Sequence, residues 1–243
     1  MTDKNIGFSR TVHLDWLEAT AAFRLQSDDP RHIRQELEPI LETHLSGKDA
    51  RRKTIDVLLG FWDKSALVAP KLHADALTLY KNAYTSEDHL LLHYGMGLIY
   101  YPIFRYVTAT IGQHSRLNDT LTRKEMKAQV AAKWGHLGAL DRSVERICAS
   151  LTEWKIMPEA EKRNTYRPRQ RELHASDLNL ESWLIACALH AHPGDSLPFT
   201  DLLRLPELFP FALRITSNDL ANSPYFTLHR EGGWEMVGVK KEV

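Results

Sequence analysis

Apolar positions recur at helical spacing along most of this chain and change to alternation only near its C-terminus. Between Leu14 and Leu25, Trp16, Ala19, Ala22 and Phe23 fall on one face of a predicted helix. Ser27-Asp28-Asp29-Pro30 stops it and starts a second, with Ile33, Leu37, Ile40 and Leu41 inward and an end near Leu45-Ser46-Gly47. The segment from Gly47 to Thr54 leads into a third helix, IDVLLGFW, and Pro70 opens a fourth through Leu72, Ala76, Leu79 and Tyr80. Ser86-Glu87-Asp88 is read as the cap of one long apolar helix, from His89 toward Gly112. Its stretch LLLHYGMGLIYYPIF is too short for a bilayer span and holds His93 and Pro102, so a buried core helix is expected, with Gly95 and Gly97 at close helix contacts.

From Thr122 to Met157 the pattern gives two helices around a Gly-bracketed turn. Thr122 and Glu125 form a capping box at the first, where Met126, Val130 and Trp134 share a face. Gly135-His136-Leu137-Gly138 ends it, and Asp141 is placed to cap the second. There Val144, Ile147, Cys148 and Leu151 make the buried stripe, leaving Arg142, Ser143, Glu145, Arg146 and Ser150 on the other side. A helix-poor basic segment, Glu159 to Arg171, follows as a wing and carries Lys162, Arg163, Arg167, Arg169 and Arg171.

The C-terminal third repeats this order. An apolar helix over Leu178 to His190 leads to a short strand, Ser196 to Phe199, then a helix DLLRL capped by Thr200 and a third helix over Phe211 to Asn222. In that third helix Leu213, Ser217 and Leu220 are expected inward, and Arg214, Thr216, Asn218 and Asn222 outward. Two alternating runs, Tyr225 to Arg230 and Trp234 to Val239, flank Glu231-Gly232-Gly233 as a hairpin. The expected fold class is therefore mainly α. A helical domain over residues 1–117 precedes two winged helix-turn-helix modules, 118–172 with the basic wing and 173–243, each with a small β-hairpin wing.

Composition narrows the picture. With 43% hydrophobic and 26% charged residues the chain can form a sizeable core. Lys+Arg and Asp+Glu balance at 31 each, so a nucleic-acid surface has to be a local patch. Two cysteines, Cys148 and Cys187, exclude a disulfide framework and a thiolate zinc site and fit a reducing cytoplasm. His89 and His93 stand one helical turn apart, a spacing that metal sites use, but with 12 histidines such pairs arise by chance and no metal or cofactor is expected. Gly47-Lys48 lacks phosphate-loop spacing. Glu125-Met126-Lys127 and Glu153-Trp154-Lys155 match the Glu-x-Lys fragment of DNA-cutting nucleases, yet fall on predicted helices rather than strands, so no enzyme is expected.

The basic helix start Asp49-Ala50-Arg51-Arg52-Lys53-Thr54, the stretches LLLHYGM and Tyr101-Pro102-Ile103-Phe104-Arg105, and the closing SLTEWKIM resemble the small BrxA-type proteins of BREX phage-exclusion loci over the first two thirds of the chain. The resemblance implies a helical, non-catalytic DNA-binding protein within a multi-component antiviral defence system. In it Arg51, Arg52 and Lys53 match a basic helix start of the family; read from the residues alone, that cluster at a helix start can hold a DNA phosphate or be a solvated helix end. The chain departs from that pattern by its second C-terminal module.

These readings converge on a cytoplasmic protein that binds double-stranded DNA without a membrane segment. Arg142, Ser143 and Arg146 are expected to face the major groove, Lys162, Arg163, Arg167, Arg169 and Arg171 the phosphates, and Arg214 and Asn218 to offer base-reading chemistry from the second module. Two alternatives stand beside it: an adaptor that docks a larger ATPase or nuclease without touching DNA, and a transcription regulator.

Overall fold

A computed structural model describes residues 7–135, 138–169 and 173–240. Among them the chain is mainly helical with two small antiparallel sheets. Six helices come first: α1 (Leu14–Gln26), α2 (Pro30–Glu42), α3 (Lys48–Trp62), α4 (Pro70–Asn82), α5 (Ser86–Tyr100) and α6 (Pro102–Ser115). Then follow β1 (Leu121–Thr122), α7 (Arg123–Trp134), α8 (Gly138–Glu153) and β2 (Thr165–Tyr166). The last third holds α9 (Leu178–His190), β3 (Ser196–Pro198), α10 (Phe199–Leu202), a 3-10 turn (Pro206–Leu208), α11 (Ser217–Asn222), β4 (Phe226–Glu231) and β5 (Trp234–Val239).

Several local expectations hold because the chemistry is local. Thr122 and Glu125 make the capping box of α7, and Gly135 leaves it at φ +83°. Val144, Ile147, Cys148 and Leu151 are buried along α8. Gly232 and Gly233, both at positive φ, turn β4 into β5, as a two-residue hairpin requires.

Others are corrected. The long apolar helix is two helices, because Tyr101 before Pro102 is extended (φ −111°, ψ 96°) and Pro102 starts α6. Thr85, not the Ser86 triplet, is the N-cap of α5, in a capping box with Asp88. α1 buries Leu17, Thr20 and Ala21 along with the expected Trp16, while Ala19 and Phe23 are partly buried against the core; it packs on α2 and α3, and Thr20 donates its hydroxyl to the Trp16 carbonyl at 2.6 Å. α8 starts at Gly138, so Asp141 lies inside its first turn. Pro198 precedes α10, which places Thr200 within the helix. The helix over Phe211 to Asn222 shrinks to α11: the Ala212 N–H goes to the Leu173 carbonyl, the Arg214 and Ile215 N–H groups go to the Glu181 carboxylate, and Thr216 caps what remains. Leu213 and Ser217 are only half-buried, while Phe211, Ile215 and Leu220 are inward. His136 and Leu137 of the Gly-bracketed turn lie outside the described residues.

One buried apolar cluster runs from Phe8 to Val237. α6 is central to it, packing on α5 and the 206–208 turn as well as on α7 and α8. Two glycines set the approach. A Cβ at Gly95 of α5 would overlap the Trp183 ring of α9, and one at Gly112 of α6 would overlap the Pro206 carbonyl oxygen. The expectation of close packing at Gly95 and Gly97 is met, since a Cβ at Gly97 would crowd Phe61 and Phe104.

His89 and His93 turn inward to one carboxylate, Glu18 of α1. His89 Nδ1 is 2.9 Å from Glu18 Oε2, and the Tyr80 hydroxyl donates to the same oxygen. His93 is fully buried; Trp62 Nε1–H donates to its Nδ1 at 2.9 Å, so the His93 proton sits on Nε2, 3.2 Å from Glu18 Oε1. Among the described residues no group of three or more His, Cys, Asp or Glu is placed to hold a metal ion, and no helix is long and apolar enough to cross a membrane. Burial alone would raise the Glu18 carboxyl; His93, Tyr80 and His89 outweigh it and bring it down to about 2.

Two predictions follow from this packing. Ala is the better helix former, by about 1 kcal/mol over Gly, yet Gly112→Ala is expected to destabilise by about 1–3 kcal/mol through overpacking, read as a lower urea midpoint. A depressed carboxyl stabilises the fold above its unfolded pKa and stops doing so as pH falls toward the folded value. Wild type should therefore lose about 1–2 kcal/mol relative to Glu18→Gln between pH 5 and 2, discounted for the solvent that reaches this carboxylate, in urea titrations at both pH values.

Candidate nucleic-acid interface

The site is assembled where β1 ends and α7 begins. β1 pairs with β2 in antiparallel register, Leu121 opposite Tyr166 and Thr122 opposite Thr165, and Glu159 bridges to the other side of Tyr166. The order across this small sheet is thus 121–122, 165–166, then 159. Between 159 and 165 the chain makes a tight turn. Ala160 N–H donates to Thr165 O at 2.7 Å, Thr165 N–H to Lys162 O at 3.1 Å, and Asn164 N–H to Glu159 Oε1 at 2.7 Å. Asn164 sits at φ +60°, a conformation asparagine tolerates, and its carbonyl accepts the Arg123 N–H at 3.0 Å. The turn is therefore tied to the first residue of α7, with Lys162 and Arg163 exposed at its tip.

An open groove of about 580 Å³ separates this tip from α7 and α8. Arg123, Lys124, Lys127, Lys162 and Arg163 line it, with Glu145 as the one carboxylate among its lining residues. Arg123 donates from Nε and Nη2 to the Tyr166 hydroxyl at 3.1 and 2.9 Å. Lys127 Nζ meets Glu145 Oε1 at 2.5 Å, and this hydrogen bond lowers the Glu145 carboxyl, keeping it ionised. Cations in the first turn of a helix oppose its dipole at a cost of about 0.3–1 kcal/mol each, so Arg123 and Lys124 stand where local helix energetics would not put them. Charge is unevenly spread along the sequence: residues 118–172 hold 12 Lys and Arg against 8 Asp and Glu, whereas residues 173–243 hold 5 against 9.

The expected contact residues divide. Lys162 and Arg163 line the groove. Arg142 and Arg146 are exposed on α8 and do not line the groove; Arg146 Nη1 lies 3.5 Å from Thr11 Oγ1. Arg167 is exposed past β2. Arg169 folds back, its Nη1 3.5 Å from the Lys155 carbonyl. Arg171 lies outside the described residues. Asn218 is exposed on the six-residue α11.

Three expectations are corrected by burial or pairing. Ser143 is 3% exposed, since its position borders the inward stripe of Leu140, Val144 and Ile147. Arg51 is 4% exposed and bonds Glu38 Oε1 at 2.6 Å and the Leu45 and Ser46 carbonyls at 2.9 and 3.0 Å, so it braces the α2–α3 connection instead of reaching a phosphate. Arg214 stays at the surface but places Nε 2.9 Å from the buried Glu181 and Nη2 2.7 Å from the Ala175 carbonyl, so its charge and donors are paired. Arg52 and Lys53 remain at the surface, but both pair with Asp49, which they hold down at about 2.

The sequence reading missed Arg123, Lys124 and Lys127. A signal was present: Arg123 and Lys127 are four apart on one face, beside a capping box. Neither Glu-x-Lys fragment lies on a strand, for Glu125 caps α7 and Glu153 accepts the Leu14 N–H at 3.0 Å from the end of α8.

Arg51→Ala should destabilise the fold by about 2–4 kcal/mol, by leaving Glu38 and two carbonyls without their partner. Arg52→Ala with Lys53→Ala should stay within about 1 kcal/mol. Chemical denaturation of the two variants checks this. No protein-family model, curated protein or solved structure matches the chain, so its site stands on geometry alone.

Proposed function

We propose that this is a non-catalytic protein that binds double-stranded DNA through residues 118–169. The observation that carries the reading is the basic groove between α7 and the 161–164 turn, with Arg142 and Arg146 exposed on the neighbouring α8. The segment α6, β1, α7, α8 and the 159–166 hairpin is a winged helix-turn-helix on this reading. Its order of parts supports that, as does the pairing of its first strand with its last. α8 then enters the major groove with Arg142 and Arg146 toward base edges, while Lys162 and Arg163 track phosphate beside it. Arg167 adds to the same surface.

The C-terminal segment has the same order, and β5 lies between β3 and β4. We read it as a second winged helix that meets protein rather than DNA. Its excess of acidic residues and Trp234, 62% exposed at the hairpin tip, favour that partner. This keeps the adaptor reading for one module. The resemblance of the first two thirds to BrxA-type proteins is what favours a component of a cytoplasmic phage-defence assembly.

A fluorescein-labelled duplex followed by anisotropy tests the reading. With four to five phosphates neutralised, affinity should fall roughly 10²-fold between 50 and 200 mM salt. Lys162→Ala with Arg163→Ala should weaken binding across sequences alike, and Arg142→Ala with Arg146→Ala should also blunt any sequence preference. Absence of binding at 50 mM salt overturns DNA binding and leaves the protein-docking role.

A further inference from the structure

Arg123 is anchored differently from four other fixed arginines of the fold. Arg34, Arg51, Arg105 and Arg214 each face a carboxylate, which cancels their charge. Arg123 is held instead by a phenol, Tyr166, itself only 2% exposed. A neutral acceptor orients the guanidinium and leaves its full charge facing the groove. Two of its five N–H donors are used on Tyr166, and the remaining three suit the oxygens of one phosphate. Lys162 and Arg163 stand across the groove on a turn fixed by its own hydrogen bonds and by the Arg123 N–H. The start of α7 does not itself supply the site, because the Arg123 and Glu125 N–H groups are already taken by Asn164 O and Thr122 Oγ1. Side chains carry it, and a bound anion would relieve the cations crowded at that helix start.

Resting on the DNA reading above, we propose that this groove is a seat for one backbone phosphate. Arg123 is its clamp, Tyr166 the residue that positions the clamp, and Glu145 a built-in counter-charge that limits its strength. Glu145 does so twice. It places a negative charge among the groove's lining residues, and it holds Lys127 in an ion pair. Removing that charge should therefore strengthen binding, an outcome that damage to the fold does not produce.

The test compares wild type, Glu145→Gln, Arg123→Lys and Tyr166→Phe, each checked by thermal melting, on the labelled duplex over a salt series. Glu145→Gln is expected to bind about 3- to 10-fold more tightly. Arg123→Lys keeps the charge but loses the fork, and should bind roughly 10-fold more weakly. Tyr166→Phe leaves every charge in place and should weaken binding several-fold, with less effect on the salt slope. Folded Glu145→Gln with unchanged or weaker binding, or Arg123→Lys equal to wild type, overturns the seat while leaving DNA binding at α8 intact. Inorganic pyrophosphate in thermal-shift assays provides the second arm. Stabilisation of wild type but not Arg123→Lys, without duplex binding, keeps the seat and removes the DNA reading; no response to either ligand overturns both.

Discussion

The contact between α6 and the 206–208 turn holds the parts of this molecule in one piece. Gly112 lets the helix approach the Pro206 carbonyl, Arg105 Nε donates to Glu207 Oε1 at 2.8 Å, and the Tyr94 hydroxyl donates to the Glu207 carbonyl at 2.6 Å. Glu207 is 1% exposed. A carboxylate so deeply buried needs its cation, and loss of one partner of such a pair costs about 3–5 kcal/mol. The same α6 packs against α7 and α8. The basic groove is thus backed by a helix that also packs on the C-terminal third, and the two segments are coupled through it.

How much of this is legible in the sequence depends on the range of the interaction. Capping at Thr122, the Gly232-Gly233 turn and the stripe through Val144, Ile147, Cys148 and Leu151 involve neighbours in sequence, and all were readable. β1 and β2 are two residues each, too short for alternation to reveal, and they form because Leu121 and Tyr166 meet across the sheet. The collapse of the predicted helix over 211–216 was hidden for a similar reason. Its backbone N–H groups are claimed by Glu181, some thirty residues earlier in the chain.

The site shows the same limit. Arg51 and Arg123 both lie in the first turns of helices amid other basic residues, and the sequence reading singles out Arg51 and passes over Arg123. What separates them is a distant partner: Glu38 cancels one, and Tyr166 orients the other. Overall neutrality concealed the charge difference between residues 118–172 and 173–243, which gives the two segments opposite characters. The chain as a whole is neutral because a basic middle segment is offset by an acidic C-terminal one, the charge pattern from which the proposed connector role starts.

Amide hydrogen exchange with and without a short duplex at low salt tests the central claim most directly, because it locates the ligand without altering a residue. Slower exchange confined to the start of α7, the exposed side of α8 and residues 161–166 is the predicted result. Protection at the β4–β5 hairpin instead, or none anywhere, would contradict the assignment of DNA to the basic groove.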